Sequence, residues 1–223
     1  MPRARHNQNN QQTAAANQQE GSGCLSPFVL PPLAVLFVGL LLALFAANIP
    51  TQATTRQTTN ANLAPLFTPE VDHWSVSILR WASASNLDPN LVAVIMQIES
   101  CGNPFARSSA GAIGLFQVMP YHFLIIDNPY DPDTNAARGL AYLKRSLDTA
   151  NGQINLALAG YNGGISLIAS GVRAAETVRY IYWGEGIYAD ATQGLGESPR
   201  LNEWLNAGGA SLCRQARIRL GLN

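Results

Sequence analysis

Glu99 is the residue of this sequence whose type and position best suit acid catalysis. It follows four apolar residues with the i, i+3, i+4, i+7 spacing of one buried helix face, namely Leu91, Val94, Ile95 and Ile98. Partial burial and the negative end of a helix dipole both raise the pKa of a carboxyl group, and an acid still protonated near neutral pH can protonate a substrate. Taken by itself, the spacing favours an ordinary helix-end glutamate that faces water or makes a salt bridge.

The segment after Glu99 is nearly uncharged and contains glycines at positions 102, 111 and 114. Glycine lets a backbone turn tightly or approach a ligand closely. Gln117 offers both a donor and an acceptor, as the hydroxyl and amide groups of a sugar require, and Phe116 and Met119 offer apolar contact. A turn followed by core residues explains the same pattern, and both interpretations stay open.

The elements that would position these residues are predicted to be helices. Asp88-Pro89 and Asp131-Pro132 each combine a helix-capping side chain with a proline suited to the first helical position. Apolar periodicity predicts helices over 70–84, from residue 89 to Glu99, over 133–150, 154–161 and 176–188, and over 201–220 with a break at Gly208-Gly209. No convincing alternating strand is present, so we expect a mainly α fold.

The first 68 residues differ from the rest in composition. Residues 1–27 are predicted to be a disordered polar tail, because the stretch up to Gly23 has almost no large apolar residues. Residues 28–47 carry no charge and match the roughly 30 Å thickness of a bilayer core, which predicts a transmembrane helix. A cleaved signal peptide is the alternative. Residues 48–68 read as a flexible tether, 69–190 as the globular domain and 191–223 as a C-terminal helical extension.

Arg3 and Arg5 precede the apolar run and only Arg56 follows it closely, a weak bias that places the N-terminus in the cytoplasm. We therefore expect a single-pass protein of the cell membrane with an extracytoplasmic domain. Charged residues make up 13% of the chain and the net charge is zero, which argues against a nucleic-acid partner. The cysteines and histidines are too scattered for a metal site, so no metal and no cofactor is expected, and His73 and His122 read as surface or packing residues.

Four short motifs, in order, resemble the soluble-lytic-transglycosylase-type family of lysozyme-like muralytic enzymes. They are Glu99-Ser100, GLFQVMP at 114–120, AGYN at 159–162 and ETVRY at 176–180, with NPYDPDTN at 128–135 between them. The resemblance covers roughly Val71 to Tyr188. Each motif alone is weak, and the specificity comes from their order and intervals. The family often has methionine where this chain has Phe116 and glycine where it has Cys101, so the shape of the groove is less certain than the acid.

The resemblance implies a lysozyme-like domain, a peptidoglycan substrate and cleavage of the β-1,4 bond between N-acetylmuramic acid and N-acetylglucosamine. It implies that Glu99 is the catalytic acid and that a 1,6-anhydro sugar is the product. It further implies substrate-contacting roles for Ser100, Gln117, Met119, Tyr161 and Asn162, and that Tyr180 holds the Glu99 carboxyl in position.

Two other functions stay open at this point. A hydrolytic lysozyme more often needs a second carboxylate, for which Asp131 and Asp133 are candidates, although helix capping explains their position better. A peptidoglycan-binding module without turnover is the other, and it would have no need of a titratable acid. Outside the membrane a disulfide between Cys101 and Cys213 could persist, which is a further hypothesis. Arg214, Arg217 and Arg219 are predicted to form a solvated helix face.

Overall fold

The structure is a computed structural model that describes residues 62–222. The predicted polar tail and transmembrane segment lie outside the described residues, as does most of the predicted tether. Among residues 62–222, no helix is both long enough and apolar enough to cross a bilayer.

The described part of the chain is mainly α, as predicted. The helices are α1 (Pro69–Asp72), α2 (Ser75–Ser85), α3 (Pro89–Glu99), a 3-10 turn (Pro120–His122), α4 (Pro132–Thr149), α5 (Ile154–Gly163), α6 (Leu167–Ser170), α7 (Ala175–Thr192), α8 (Pro199–Trp204), a π-helical turn (Leu205–Gly209) and α9 (Ala210–Leu220). Between residues 62 and 222 there is no strand, and only two isolated β-bridges occur, both at Ile113.

Helix α3 is the central element of the fold. Asp88 caps it by accepting hydrogen bonds from the amides of Asn90 and Leu91, and Pro89 occupies its first turn, as the sequence predicted. All seven residues from Leu91 to Gln97 are buried, because α3 packs between α2 and α7. Helix α5 packs in turn on α4 and α7. The C-terminal end of α3, where Glu99 lies, is therefore surrounded by helices that fix its position.

Two contacts tie the C-terminal helix α9 to earlier segments of the domain. The Cys101–Cys213 disulfide is formed, which confirms that hypothesis, and it closes a sequence separation of 112 residues. Beside it, Arg217 Nε donates a 2.6 Å hydrogen bond to the carboxylate of Glu70, whose side chain is only 2% exposed. Arg217 is exposed, as predicted for a solvated helix face, and it also serves as the cationic partner that a buried carboxylate needs.

Two boundaries differ from the sequence-based expectation, and a third feature agrees with it. The predicted helix over 70–84 is interrupted at His73 and Trp74, where the Trp74 indole turns to donate a hydrogen bond to the Gly102 carbonyl at 2.9 Å. The predicted tether ends earlier than residue 68, because Leu66 and Phe67 are buried in the core. The expected break at the glycine pair is present at Gly208, whose φ of 131° lies within the π-helical turn.

Candidate active site

Glu99 is the last residue of α3, and it is half-buried at the wall of a cleft. Burial is the main cause that raises its pKa, from 4.5 to about 7. The negative charge of Glu176 raises the pKa further, and the Tyr180 hydroxyl opposes the rise. That hydroxyl is buried and forms no hydrogen bond of standard geometry with any described residue. At neutral pH, Glu99 is thus close to half protonated.

Glu99 opens into a cleft of about 340 Å³ that we call the acid cleft. Glu176, Tyr180 and Trp183 of α7 form one wall, and Asn162 at the end of α5 forms another. Trp204, at the end of α8, also lines it. Carboxyl, hydroxyl, amide and aromatic groups converge in this cleft, as expected for a site that binds a polar, uncharged ligand.

The backbone turn after Glu99 is held by Ser100. The Ser100 hydroxyl donates a 2.7 Å hydrogen bond to the Leu115 carbonyl and accepts one from the Gly102 amide at 3.1 Å. Ser100 is fully buried and lines neither cleft described here. The structure therefore does not bring Ser100 to the position of a substrate ligand. Its hydroxyl is committed to joining the end of α3 to the loop that carries Gln117.

Asn135 of α4 fixes that loop from the other side. Its side-chain amide donates to the carbonyls of Ile113 and Pro129, at 2.8 and 3.0 Å, and accepts from the Phe116 amide at 2.9 Å. Gly114 passes over this amide with a φ of 79°, and a Cβ there would lie 2.3 Å from Asn135 Nδ2. Only glycine permits this close approach, so the glycine of the GLFQVMP motif is explained by packing against α4.

The loop forms one side of a second cleft, of about 240 Å³, that we call the glycan groove. Gln117 and Met119 line it, together with Tyr161, so the structure brings these three predicted site residues together. The Tyr161 hydroxyl donates to the Phe116 carbonyl at 2.7 Å, and the side-chain amide of Gln117 donates to the Gly114 carbonyl at 2.9 Å. Burial is the largest cause that raises the pKa of Tyr161, and the nearby Glu99 charge is the next. Asn162 lines both clefts. The two clefts are therefore adjacent at α5.

The structure adds site residues that the sequence analysis missed. Glu176 shares the acid cleft with Glu99, although 77 positions separate them in the sequence, and Trp204 enters from the C-terminal extension. His122, expected to be a surface or packing residue, lines the glycan groove between Tyr121 and Tyr142, whose ring centroids lie 4.6 and 4.7 Å away. In the sequence, the one feature that could have indicated a site role for His122 is the aromatic cluster close to the GLFQVMP motif.

Asp131 and Asp133, considered as a second carboxylate, have other partners. Asp131 caps α4 by accepting a 2.8 Å hydrogen bond from the Thr134 amide. Asp133 accepts 2.6 Å hydrogen bonds from the Arg80 guanidinium and the Trp81 indole, and these bonds lower its pKa. Neither side chain lines the acid cleft.

Comparisons with known proteins point to one family. The chain is 44% identical over 93 residues to the Transglycosylase of Enterobacteria phage PRD1, covering 41% of this chain and 35% of that protein. It is 33% identical over 84 residues to the Membrane-bound lytic murein transglycosylase E of Buchnera aphidicola subsp. Acyrthosiphon pisum (strain APS), covering 32% of this chain and 38% of that protein. The chain thus spans little more than a third of the length of either relative.

Among solved structures, an inactive mutant of the lytic transglycosylase Slt from Pseudomonas aeruginosa is similar, with a TM-score of 0.45 and 24% identity over 56% of this chain and 25% of that one. The family model described as Transglycosylase SLT domain matches residues 77–182. That range contains Glu99, Gln117, Tyr161 and Tyr180. Residues 77–182 of this chain are therefore similar to the transglycosylase SLT domain family.

Proposed function

We propose that this protein is a peptidoglycan lytic transglycosylase that cleaves the β-1,4 bond between N-acetylmuramic acid and N-acetylglucosamine without water. The observation that carries the proposal is Glu99, a cleft carboxyl with a pKa of about 7. The match of residues 77–182 to the SLT domain family supports the substrate class. A carboxyl with this pKa can serve as an acid and then, once ionised, as a base.

The proposed reaction uses one carboxyl group twice. Glu99 first donates its proton to the glycosidic oxygen, and the bond from that oxygen to C1 of the muramic acid breaks with oxocarbenium-like character. The ionised Glu99 then takes the proton of the C6 hydroxyl as this oxygen forms a bond to C1. The products are a strand with a new free end and a 1,6-anhydromuramyl end, and no water is consumed.

The neighbouring residues are assigned supporting roles in this reaction. Tyr180 positions the Glu99 carboxyl from α7, and Asn162, which accepts a 2.8 Å hydrogen bond from Thr177, contacts the sugar at the junction of the two clefts. Gln117, Met119 and Tyr161 contact the glycan along the glycan groove. For Ser100 we propose a different role from the one the resemblance implied, because its hydroxyl is occupied in holding the loop.

The test is mass spectrometry of muropeptides that the detergent-solubilised full chain releases from purified peptidoglycan. We expect products one water lighter than reducing muropeptides, and a rate about 10²- to 10⁴-fold lower for Glu99→Gln. The matched control is Glu185→Gln, which changes an exposed glutamate of α7 that lines neither cleft. Wild-type kcat/KM should fall about tenfold per pH unit above pH 7, since the protonated form of Glu99 is required.

Hydrolysis is the second candidate, and Glu176 is the observation that favours it. A hydrolytic glycosidase usually carries two carboxyl groups in its site, and Glu176 shares the acid cleft with Glu99. Reducing muropeptides from the wild-type chain, lost in Glu176→Gln, would assign hydrolysis and contradict the transglycosylase proposal. Release of no product, with binding to the wall retained, would favour a binding module.

We also propose that the protein is anchored in the cell membrane with this domain outside the cytoplasm. The uncharged run of residues 28–47 supports the anchor, and a relative is named as membrane-bound. The disulfide supports an oxidising compartment. Detection of the full-length chain in membrane fractions is the expected result, whereas a soluble form that starts after the apolar run would contradict it.

A further inference from the structure

The segment that leaves the glycan groove ends in an exposed apolar tip. Leu124, Ile125 and Ile126 follow each other directly and are 56%, 106% and 89% exposed. Tyr121, which lines the groove, precedes them and is itself 74% exposed. Exposed aliphatic residues that occur singly need no explanation, but three consecutive ones form a contiguous patch of the kind that marks an interaction site. We call residues 124–126 the apolar tip.

The apolar tip is a fixed turn. The Asp127 amide donates to the Leu124 carbonyl at 3.0 Å, which closes a four-residue turn with Ile125 and Ile126 at its two central positions. Such positions are normally occupied by glycine, proline, asparagine or aspartate, which suit both the backbone and the solvent. Nothing in the packing of the domain requires isoleucine there, because both side chains point into solvent.

An ion pair between Arg138 and Asp127 holds the base of the turn. Arg138 of α4 donates two hydrogen bonds to the Asp127 carboxylate, at 2.6 and 3.0 Å, and the same carboxylate accepts a 2.8 Å hydrogen bond from the Leu124 amide. The Asp127 side chain is only 10% exposed. The tip is therefore held rigidly in a protruding position and presents no unpaired charge beside its aliphatic side chains.

We propose that the apolar tip inserts into the surface of a lipid bilayer. A protrusion of aliphatic side chains needs no complementary pocket in a lipid surface, whereas sugars are typically bound by polar groups and stacked aromatic rings. Insertion through apolar area also suits a chain of zero net charge, which gains little from anionic lipids. Tyr121, adjoining the tip, has the amphipathic side chain that favours the interface between membrane and water.

The proposed anchor makes a bilayer available to the tip. Sixteen residues, 48–63, lie between the apolar run and the buried core residue Ala64. Sixteen residues can reach at most about 55 Å. That reach is comparable with the dimensions of a domain of this size, so the tip can contact the same membrane. This inference rests on the proposed anchor and does not depend on the proposed catalytic reaction.

The test uses the full chain, with Cys24→Ser, reconstituted into phosphatidylcholine vesicles. Ile126→Cys carries an environment-sensitive fluorophore, and some lipids carry a nitroxide in the upper acyl chain. The matched controls carry the same label at Ile218 or Val76, single exposed aliphatic residues that are 78% and 80% exposed. We expect quenching roughly twofold or more stronger at position 126 than at the controls, since an interfacial apolar segment lies about 5–10 Å deep. Adding Ile125→Asp should abolish the difference.

Each other result would overturn the proposal. Equal quenching at all three positions, or failure of the chain to associate with vesicles, would exclude insertion of the tip. A blue shift that rises with protein density and is insensitive to the nitroxide would assign the tip to a contact between two copies. A shift that appears only after glycan fragments are added would assign it to the substrate. Because no peptidoglycan is needed for the expected result, failure here leaves the catalytic proposal untouched.

Discussion

Glu70 and Glu99 are both glutamates in the interior of the same domain, yet their surroundings differ. The Glu70 carboxylate accepts a hydrogen bond from the Arg217 guanidinium, next to the disulfide that fixes α9. Glu99 has no salt-bridge partner among the described residues. Arg179 lines the same cleft, but the charge that shifts the pKa of Glu99 is that of another carboxylate, Glu176. The difference shows that burial alone does not assign a role to an acidic residue.

The partner decides what a buried carboxyl group can do. An ion pair keeps the carboxylate ionised and gives it a structural role, because a buried charge without a partner is costly. Burial without a cation keeps the proton on the carboxyl group up to a higher pH, which makes it available for transfer. Glu70 therefore joins two ends of the domain through an ion pair, whereas Glu99 remains protonated to a higher pH at the wall of a cleft.

Of the substitutions that test this comparison, Glu99→Gln should change the free energy of unfolding the most. The size of the change should depend on pH. The pKa of Glu99 is raised from 4.5 to about 7 in the folded state. As pH rises, this carboxyl group therefore loses its proton in the unfolded chain before it does so in the folded chain. The wild type therefore loses stability between about pH 4.5 and 7, by at most about 3 kcal/mol. Urea unfolding with the disulfide intact should show the variant more stable by up to that amount at pH 8 and unchanged at pH 4. A variant less stable at both pH values would give Glu99 a structural role and end the contrast with Glu70.

Arg217→Met should destabilise the fold by about 2 kcal/mol, without changing the product released. The substitution keeps the aliphatic stem and leaves the Glu70 carboxylate buried and unpaired. The loss should be below that of a fully buried pair, because the Arg217 side chain is 47% exposed. Thermal unfolding beside Arg214→Met, an exposed arginine of the same helix, is the measurement. Equal melting temperatures for the two variants would mean that the pair contributes nothing.

Tyr180→Phe and Glu176→Gln should shift the pKa of Glu99 in opposite directions. The Tyr180 hydroxyl lowers that pKa and the Glu176 charge raises it, and both contributions are smaller than that of burial. The pH at which kcat/KM falls should therefore move up in Tyr180→Phe and down in Glu176→Gln. Shifts of the same sign in both variants would show that the surroundings of Glu99 have been assigned wrongly.

Local features of the fold were predictable from the sequence, because they depend on neighbours in the chain. The caps at Asp88 and Asp131, with their prolines, fix where α3 and α4 begin, and the apolar spacing places Glu99 at the end of a buried face. The left-handed backbone of Cys101, with a φ of 51°, suits glycine, which the resemblance led us to expect at this position.

Contacts between distant segments were not predictable in the same way. No local pattern shows that Glu176 would share a cleft with Glu99, that Trp204 would join them, or that Ser100 would turn its hydroxyl to the Leu115 carbonyl. These depend on how α5, α7 and α8 are arranged around the end of α3, which spacing along one helix does not specify. The order of the family motifs supplied part of this information, but not for Trp204, which lies beyond them.

The disulfide between Cys101 and Cys213 also sets an order of events during biosynthesis. A chain is made from its N-terminus, so Cys101 has emerged while the residue that will bond to it is still 112 positions from being made. The helices of the matched family segment can assemble in that interval. The residue that follows the Glu99-Ser100 motif therefore receives its covalent partner only after 112 further residues have been synthesised. Premature release of a shortened chain would leave a free thiol two residues from the proposed catalytic acid.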